Sequence, residues 1–161
     1  DKLTHEFGPN RQKNNAYPDV HPANAFIGNY LRLELLSEHN LRAQLLDESI
    51  DFFDYMALKT GTLWENISAT ASCNHGFASH VAHLLFRDVL GIAKINPQKK
   101  EITIQFSDLP LTSCKGTMPV GHAMVKLEWS RNGDVITYHC DVPEGYNLII
   151  KNDSGMELAR K

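Results

Sequence analysis

Cysteine is scarce in this chain. Cys73, Cys114 and Cys140 are the only three among 161 residues, and none has a partner at the close spacing that a structural zinc site uses. They read as small buried hydrophobes. An odd number leaves at least one thiol unpaired but allows a single bridge, so the redox compartment stays open. Long apolar runs are missing as well. Aliphatic stretches such as Leu33 to Leu36 are broken by charge within a few residues, far short of the roughly 18 to 20 residues of a membrane-spanning helix. Nor is there an excess of positive charge. Sixteen basic against nineteen acidic residues give a net charge of −3, and Lys99-Lys100 is an isolated pair, which is no footprint for nucleic acid. The chain opens at Asp1 without an initiator Met or a basic-then-apolar leader, so a trimmed or processed chain, or a piece of a longer one, is expected. What remains is an ordinary globular composition, 42% hydrophobic and 22% charged. That is enough for one substantial core or two small ones, and it excludes disordered and collagen-like chains.

The order of periodicities divides the chain. Asp1 to about Pro22 is rich in Asn, Pro, Lys and Gln, carries the breakers Gly8-Pro9-Asn10 and Tyr17-Pro18, and reads as loop. From Asn24, a plausible N-cap, the residues Phe26, Ile27, Tyr30, Leu31, Leu33, Leu35 and Leu36 predict an amphipathic helix ending near Ser37 to Asn40. A second helix has Leu41, Leu45, Leu46, Ile50, Phe53, Met56 and Ala57 at helical spacing. Its acids Asp47, Glu48, Asp51 and Asp54 fall mostly on the other side, and the two helices are expected to form an antiparallel hairpin. A long loop follows from Lys59 to Ser79. A third helix over about Ser79 to Leu90 directs Val81, Leu84, Leu85 and Val89 to a core and stops at Gly91.

After Gly91 the period becomes two. Ile102, Ile104 and Phe106 alternate with Glu101, Thr103 and Gln105, and Ala123, Val125, Leu127 and Trp129 alternate with His122, Lys126, Glu128 and Ser130. Asn132-Gly133 signals a hairpin turn into Val135 to Val142, with Ile136, Tyr138, Cys140 and Val142 on one face. Further strands are expected around Leu148 to Lys151 and after a polar break at Asn152 to Gly155. Helices first and strands second predict an α+β chain of two modules, with an antiparallel sheet in the second and the boundary near Gly91 to Pro97.

Long loops inside compact domains are often functional, so Lys59 to Ser79 is the first place to look for chemistry. It gathers Trp64, Glu65, Asn66, Asn74 and His75. Aromatic rings offer apolar faces to the C–H side of a sugar, while Glu, Asn and His supply hydrogen bonds or a titratable group. The plainer reading is a packed indole beside a solvated carboxylate. His75, His80 and His83 raise the idea of a metal, but no His-Glu-x-x-His pattern or Cys pair supports it, and no metal or cofactor is expected. Asn66-Ile67-Ser68 and Asn152-Asp153-Ser154 fit a glycosylation pattern too short to carry weight.

Thr62-Leu63-Trp64-Glu65, Asn74-His75 and a helix closing at Gly91-Ile92 appear in that order. The tail after them holds Lys100-Glu101-Ile102-Thr103-Ile104, Gly116, Val125 to Trp129 and Asp141-Val142-Pro143. Together they resemble the C-terminal end of bacterial α-L-rhamnosidases of glycoside hydrolase family 78, the six-hairpin type. The resemblance runs from about Asn24 onward. It implies the last helices of an incomplete (α/α)6 six-hairpin barrel over residues 1–92 and a C-terminal antiparallel β-sandwich over residues 93–161. It also implies an inverting hydrolase in which Glu65 is the general base, His75 with neighbouring Asn74 contacts the sugar, and Trp64 lines or supports the pocket. The segment Asn66 to Cys73 is shorter than is usual in the family. The family's general acid comes from an earlier stretch that nothing here matches, and neither Glu6 nor Asp19 is identified as that acid.

The expected partners are therefore a carbohydrate substrate and the missing N-terminal part of the barrel, without nucleic acid or membrane. Exposed helical faces would otherwise drive self-association. Such enzymes occur inside bacterial cells and in exported form, with a periplasmic or extracellular place slightly favoured. Alone, the fragment is expected to be inactive. Two other readings are a non-catalytic carbohydrate-binding or accessory β-sandwich module and a purely structural interaction domain. Trp129 shares the alternating face of Val125 and Leu127, which places it in a core and not at a sugar-binding surface.

Overall fold

A computed structural model describes residues 2–7, 16–20 and 25–161. The chain divides into a helical unit, Asp1–His83, and a β unit, Leu84–Lys161. The proposed N-cap Asn24 and the breakers Gly8-Pro9-Asn10 lie outside the described residues. Among the described residues no helix is long and apolar enough to cross a membrane.

In the helical unit, α1 spans Phe26–Glu38 and α2 spans Arg42–Thr60. Asn29, Leu33 and Leu36 of α1, and Leu45, Leu46, Phe53 and Met56 of α2, are buried at spacings of three, four and seven, the stripe that one helix offers another. The intervening turn is closed by Leu41 N–H donating to Leu36 O at 2.9 Å. Arg32 of α1 reaches Glu48 of α2 across it, so the helices return alongside one another as a hairpin. Three expectations are corrected on α2. Ile50 is exposed, as is Ala57, and Glu48 is buried. Glu48 tolerates burial because Arg32 grips both carboxylate oxygens at 2.8 Å and Gln44 donates to one of them at 2.8 Å.

The N-terminal stretch read as loop also contains order. Lys2–Glu6 forms a single wide helical turn, with Phe7 N–H donating to Lys2 O at 2.9 Å. The Thr4 carbonyl accepts from Arg32 and from Gln44, each at 2.6 Å. This buried polar network fastens the turn to the hairpin; hydrophobic periodicity cannot reveal it because its members are Arg, Glu and Gln.

The third helix runs as α3, His80–Leu84, and continues through wide turns over Leu85–Leu90. Gly91 N–H donates to Phe86 O five residues back at 3.2 Å. Val81, Leu84 and Val89 are buried as expected, whereas Leu85 is exposed, because the wide turns rotate the face relative to a regular helix. Gly91 takes φ +101°, and a Cβ there would lie 2.7 Å from the Gln105 carbonyl oxygen. Glycine is required on both counts.

The β unit has seven strands: β1 Ile92–Asn96, β2 Glu101–Ser107, β3 Ser113–Val120, β4 Ala123–Asn132, β5 Val135–Asp141, β6 Asn147–Asp153 and β7 Glu157–Arg160. They form two sheets, ordered β1-β2-β6 and β3-β4-β5-β7. The expected alternation holds in β2, with Ile102, Ile104 and Phe106 buried, and in β4, with Val125, Leu127 and Trp129 buried; Ala123, at the start of β4, is exposed. The Phe106 and Tyr138 rings, one from each sheet, meet 4.9 Å apart. Cys140 is buried on the same face as Tyr138, and all three cysteines are free thiols. Burial pushes the thiols of Cys114 and Cys140 above their ordinary value.

The purely antiparallel sheet is corrected. β2 pairs with β6, and β5 with β7, in parallel. Between β5 and β7 the chain reverses twice, around residues 143–146 and 154–156, so β7 recovers the direction of β5 while β6 serves the other sheet. Strands β1 and β3 escape the periodic reading. In β3 the inward positions are Cys114, Gly116, Met118 and Val120, too small and mixed to show a period. Gly116 has a structural reason, since a Cβ there would sit 2.7 Å from Leu90 Cδ2. Trp129 completes this core by donating its Nε1–H to Leu90 O at 3.0 Å.

Gly91→Ala is expected to destabilise the β unit by more than about 1 kcal/mol, because it adds both a positive-φ penalty and a backbone clash. Urea unfolding checks this: the midpoint falls while the slope m stays the same.

Candidate functional site

The loop after α2 is built on one indole. Trp64 is fully buried, and a buried indole N–H needs an acceptor, which it finds in Thr60 Oγ1 at 2.8 Å in the last turn of α2. Tyr55 packs edge-on at 5.1 Å, and Lys59 Nζ lies 5.5 Å from the ring centre. Burying an indole of ~150–250 Å² is worth at most roughly 4–6 kcal/mol. Thr60 Oγ1 also contacts Thr62 Oγ1 at 2.6 Å, and Thr62 donates its hydroxyl to the Cys73 carbonyl. The start and the end of the loop are thereby joined.

Backbone pairing extends this junction. Glu65 N–H donates to Ser72 O, and His75 N–H to Leu63 O, both at 2.9 Å. Asn66 folds the intervening residues by accepting Ser68 N–H and Ser68 Oγ–H, each at 2.9 Å. Asn152 does the same with Ser154 N–H and Oγ–H, at 3.1 and 2.6 Å. Both Asn-x-Ser triplets are therefore turn formers. The other end of the clamp is α1. Its N-cap, Ala25, makes no side-chain cap, and Phe26 N–H donates instead to Glu65 O at 3.0 Å, beside an antiparallel bridge between Ala25 and Asn66.

These bonds fix what the site presents. The Glu65 side chain is 43% exposed, with Oε2 lying 4.0 Å from His75 Nδ1. The same oxygen is 3.4 Å from Ser72 N. His75 is 26% exposed, and its ring lies 4.6 Å from that of Phe26. Asn74 is exposed, and its carbonyl accepts Ser72 Oγ–H at 3.1 Å. A half-open carboxylate next to an imidazole can hold a water or a sugar hydroxyl and take up a proton. Of the four residues expected here, Glu65 and His75 come together, Asn74 adjoins them, and Trp64 lies beneath as their support with no face open to solvent.

The remaining candidates are placed elsewhere. The Glu6 carboxylate accepts the Tyr17 hydroxyl, and Asp19 sits exposed in a turn closed by Val20 N–H to Tyr17 O. Among the described residues, no group of three or more His, Cys, Asp or Glu side chains could hold a metal ion. His83 is exposed. His80 is partly buried, its Nδ1 lying 3.1 Å from Phe77 O and its ring between Tyr30 and Phe53 at 4.9 and 6.0 Å. Its Nε2 is buried without a hydrogen-bond partner among the described residues. Burial lowers the His80 pKa from its ordinary 6.5, against the opposing pull of the Phe77 carbonyl and of Glu34.

The rings of Phe26 and Phe77 lie 4.6 and 5.8 Å from that of His75, and the sequence pattern assigned neither of them to the site. Phe26 reads as the first apolar residue of a helix. Phe77 follows His75-Gly76 directly, and that adjacency is its only signal.

No family model matches this chain, and no curated protein does. Among solved structures, the GH78 family rhamnosidase of Bacillus sp. GL1 matches with a TM-score of 0.75 over 99% of this chain, at 14% sequence identity. The chain spans 19% of that enzyme's length. Its fold is thus that of part of a GH78 rhamnosidase, and the resemblance read from the motifs holds at the level of the fold.

Burial of His80 in its neutral form makes stability depend on pH. Between the unfolded value of 6.5 and the lower folded value, the unfolded chain binds more protons, so stability is complete above about pH 6.5 and falls as the pH drops below it. The thermal midpoint is expected to decline over that range, and His80→Phe to flatten the decline relative to the parent chain.

Proposed function

We propose that this chain is the C-terminal part of an inverting glycoside hydrolase of the α-L-rhamnosidase type, comprising the last helices of a six-hairpin barrel and the adjoining β-sandwich. The observation that carries the proposal is the Glu65 carboxylate, half open to solvent, tied through its backbone to Ser72 and Phe26 and set 4.0 Å from His75.

In this reading Glu65 acts as general base. It accepts a proton from the attacking water, which adds to the anomeric carbon on the face opposite the departing oxygen. An acid contributed from outside this chain protonates that oxygen. Inversion needs the two carboxyl groups roughly 6.5–9.5 Å apart, with the water held between carboxylate and sugar. His75 and Asn74 hydrogen-bond sugar hydroxyls, and Trp64 holds the loop that carries all three. The missing partner is the rest of the barrel. Ile27 and Leu31 of α1 and Ile50 and Leu58 of α2 are exposed, apolar helical surface of the kind that neighbouring hairpins of a barrel would cover. The accessory-module reading has less support, because the indole of Trp129 is buried and hydrogen-bonded within the β unit.

The test is Glu65→Gln in the full-length polypeptide that carries this chain, assayed on p-nitrophenyl α-L-rhamnopyranoside. Glutamine keeps an oxygen for Ser72 N–H while removing the base. The turnover number is expected to fall on the order of 10²- to 10⁴-fold, and NMR of the parent's first product is expected to show the β-anomer of rhamnose. Near-normal turnover in the variant rules out Glu65 as base, and a first-formed α-anomer rules out inversion.

A further inference from the structure

Around His75 the helical unit groups two phenylalanine rings, half-buried Phe26 and exposed Phe77, that the reading above leaves without a task. Phe77 is 75% exposed. Its ring lies 6.0 Å from that of Phe26 at an interplanar angle of 16°, and 5.8 Å from that of His75. A single exposed aromatic residue is unremarkable on a protein surface. Three features set this one apart.

The first is rigidity. Phe77 sits in a short helical turn, Gly76–Ser79, where Ala78 N–H donates to His75 O at 3.0 Å and Ser79 Oγ–H to Gly76 O at 2.6 Å. The next residue, Ala78, is fully buried, and the His80 ring meets the Phe77 carbonyl at 3.1 Å. The second is connection. Phe26 donates its backbone N–H to the carbonyl of Glu65 at 3.0 Å, and His75 touches both the Phe26 ring and the Glu65 carboxylate. The rings and the carboxylate are thus one fixed assembly. The third is chemistry. The assembly offers an apolar ring beside an imidazole that itself lies 4.0 Å from a carboxylate, a combination that matches a pyranose ring with C–H groups on one face and hydroxyls at its edge.

We propose that Phe77, backed by Phe26, is a stacking platform for the C–H face of a pyranose unit held next to Glu65. The platform rests on the assignment of this loop as a glycosidase site, and it adds a binding surface on a rigid turn to the chemistry assigned to Glu65. Because the turn is ordered before a ligand arrives, stacking there costs little immobilisation. Phe77 takes part in no proton transfer. Its contribution therefore falls on substrate affinity and leaves the chemical step unchanged.

The experiment compares Phe77→Ala, Phe77→Trp and Glu65→Gln in the full-length polypeptide. It measures kcat and KM on p-nitrophenyl α-L-rhamnopyranoside and binding of methyl α-L-rhamnopyranoside by calorimetry. Stacking of the strength seen between aromatic rings corresponds to roughly a 2- to 12-fold change. Phe77→Ala is expected to raise KM and weaken glycoside binding by that factor with kcat unchanged, and Phe77→Trp to restore both. An unchanged KM and affinity in Phe77→Ala overturns the platform, even where Glu65→Gln abolishes turnover and the catalytic reading stands. The converse, normal turnover in Glu65→Gln with weakened binding in Phe77→Ala, keeps the platform and removes the base. A lower melting temperature in Phe77→Ala without any change in affinity shows a ring covered by protein and also overturns the proposal.

Discussion

A buried indole has one polar atom, and that atom must be satisfied inside the protein. For Trp64 the acceptor is Thr60 Oγ1, at 2.8 Å in the last turn of α2, and the arrangement of the whole loop depends on this pairing. It fixes where the chain leaves the helix. Thr62 can then reach the Cys73 carbonyl, Leu63 and Glu65 can pair with His75 and Ser72, and the Glu65 carbonyl can receive the first amide of α1. Each bond contributes only about 1 kcal/mol, but together they hold a carboxylate and an imidazole 4.0 Å apart on a loop.

A second buried constraint operates in the same unit. Arg32 and Glu48 form a bidentate pair across the α1–α2 hairpin, and both Arg32 and Gln44 donate to the Thr4 carbonyl. A pair this buried adds little net stability beside what hydrophobic packing could provide, yet breaking it leaves an uncompensated charge. It bridges the two helices at one defined position along each of them. Leu33 and Leu36 on one helix and Leu45 and Met56 on the other supply the buried apolar stripes. The hairpin in turn carries both anchors of the site, Thr60 at the end of one helix and Phe26 at the start of the other.

Much of this was legible in the residues. Period-two alternation located β2 and β4, and helical spacing located all three helices. The loss of period between Lys59 and Ser79 singled out the loop that holds Glu65 and His75. The failures share a cause. Glu48 looks like a surface acid until Arg32 is brought to it from sixteen residues away in the chain. Strand β3 hides because Gly116 makes room for Leu90 and so cannot mark an apolar position. The parallel pairings of β6 and β7 follow from the path of the chain between sheets, which no local pattern encodes. Phe77 is a large apolar residue that the fold leaves in the open, and a sequence does not distinguish it from one that is buried. For Trp64 the residues alone leave lining and supporting the loop equally open, and its burial and its bond to Thr60 make it a support.

The central claim, that the Trp64–Thr60 contact holds the candidate site in place, is tested most directly by amide hydrogen exchange in Thr60→Val. That substitution keeps the side-chain shape and removes the acceptor. The account predicts faster exchange at the amides of Glu65 and His75, which close the loop, with unchanged rates at Ile104 and Leu127 in the sheets. Unaltered protection at Glu65 and His75 would contradict it.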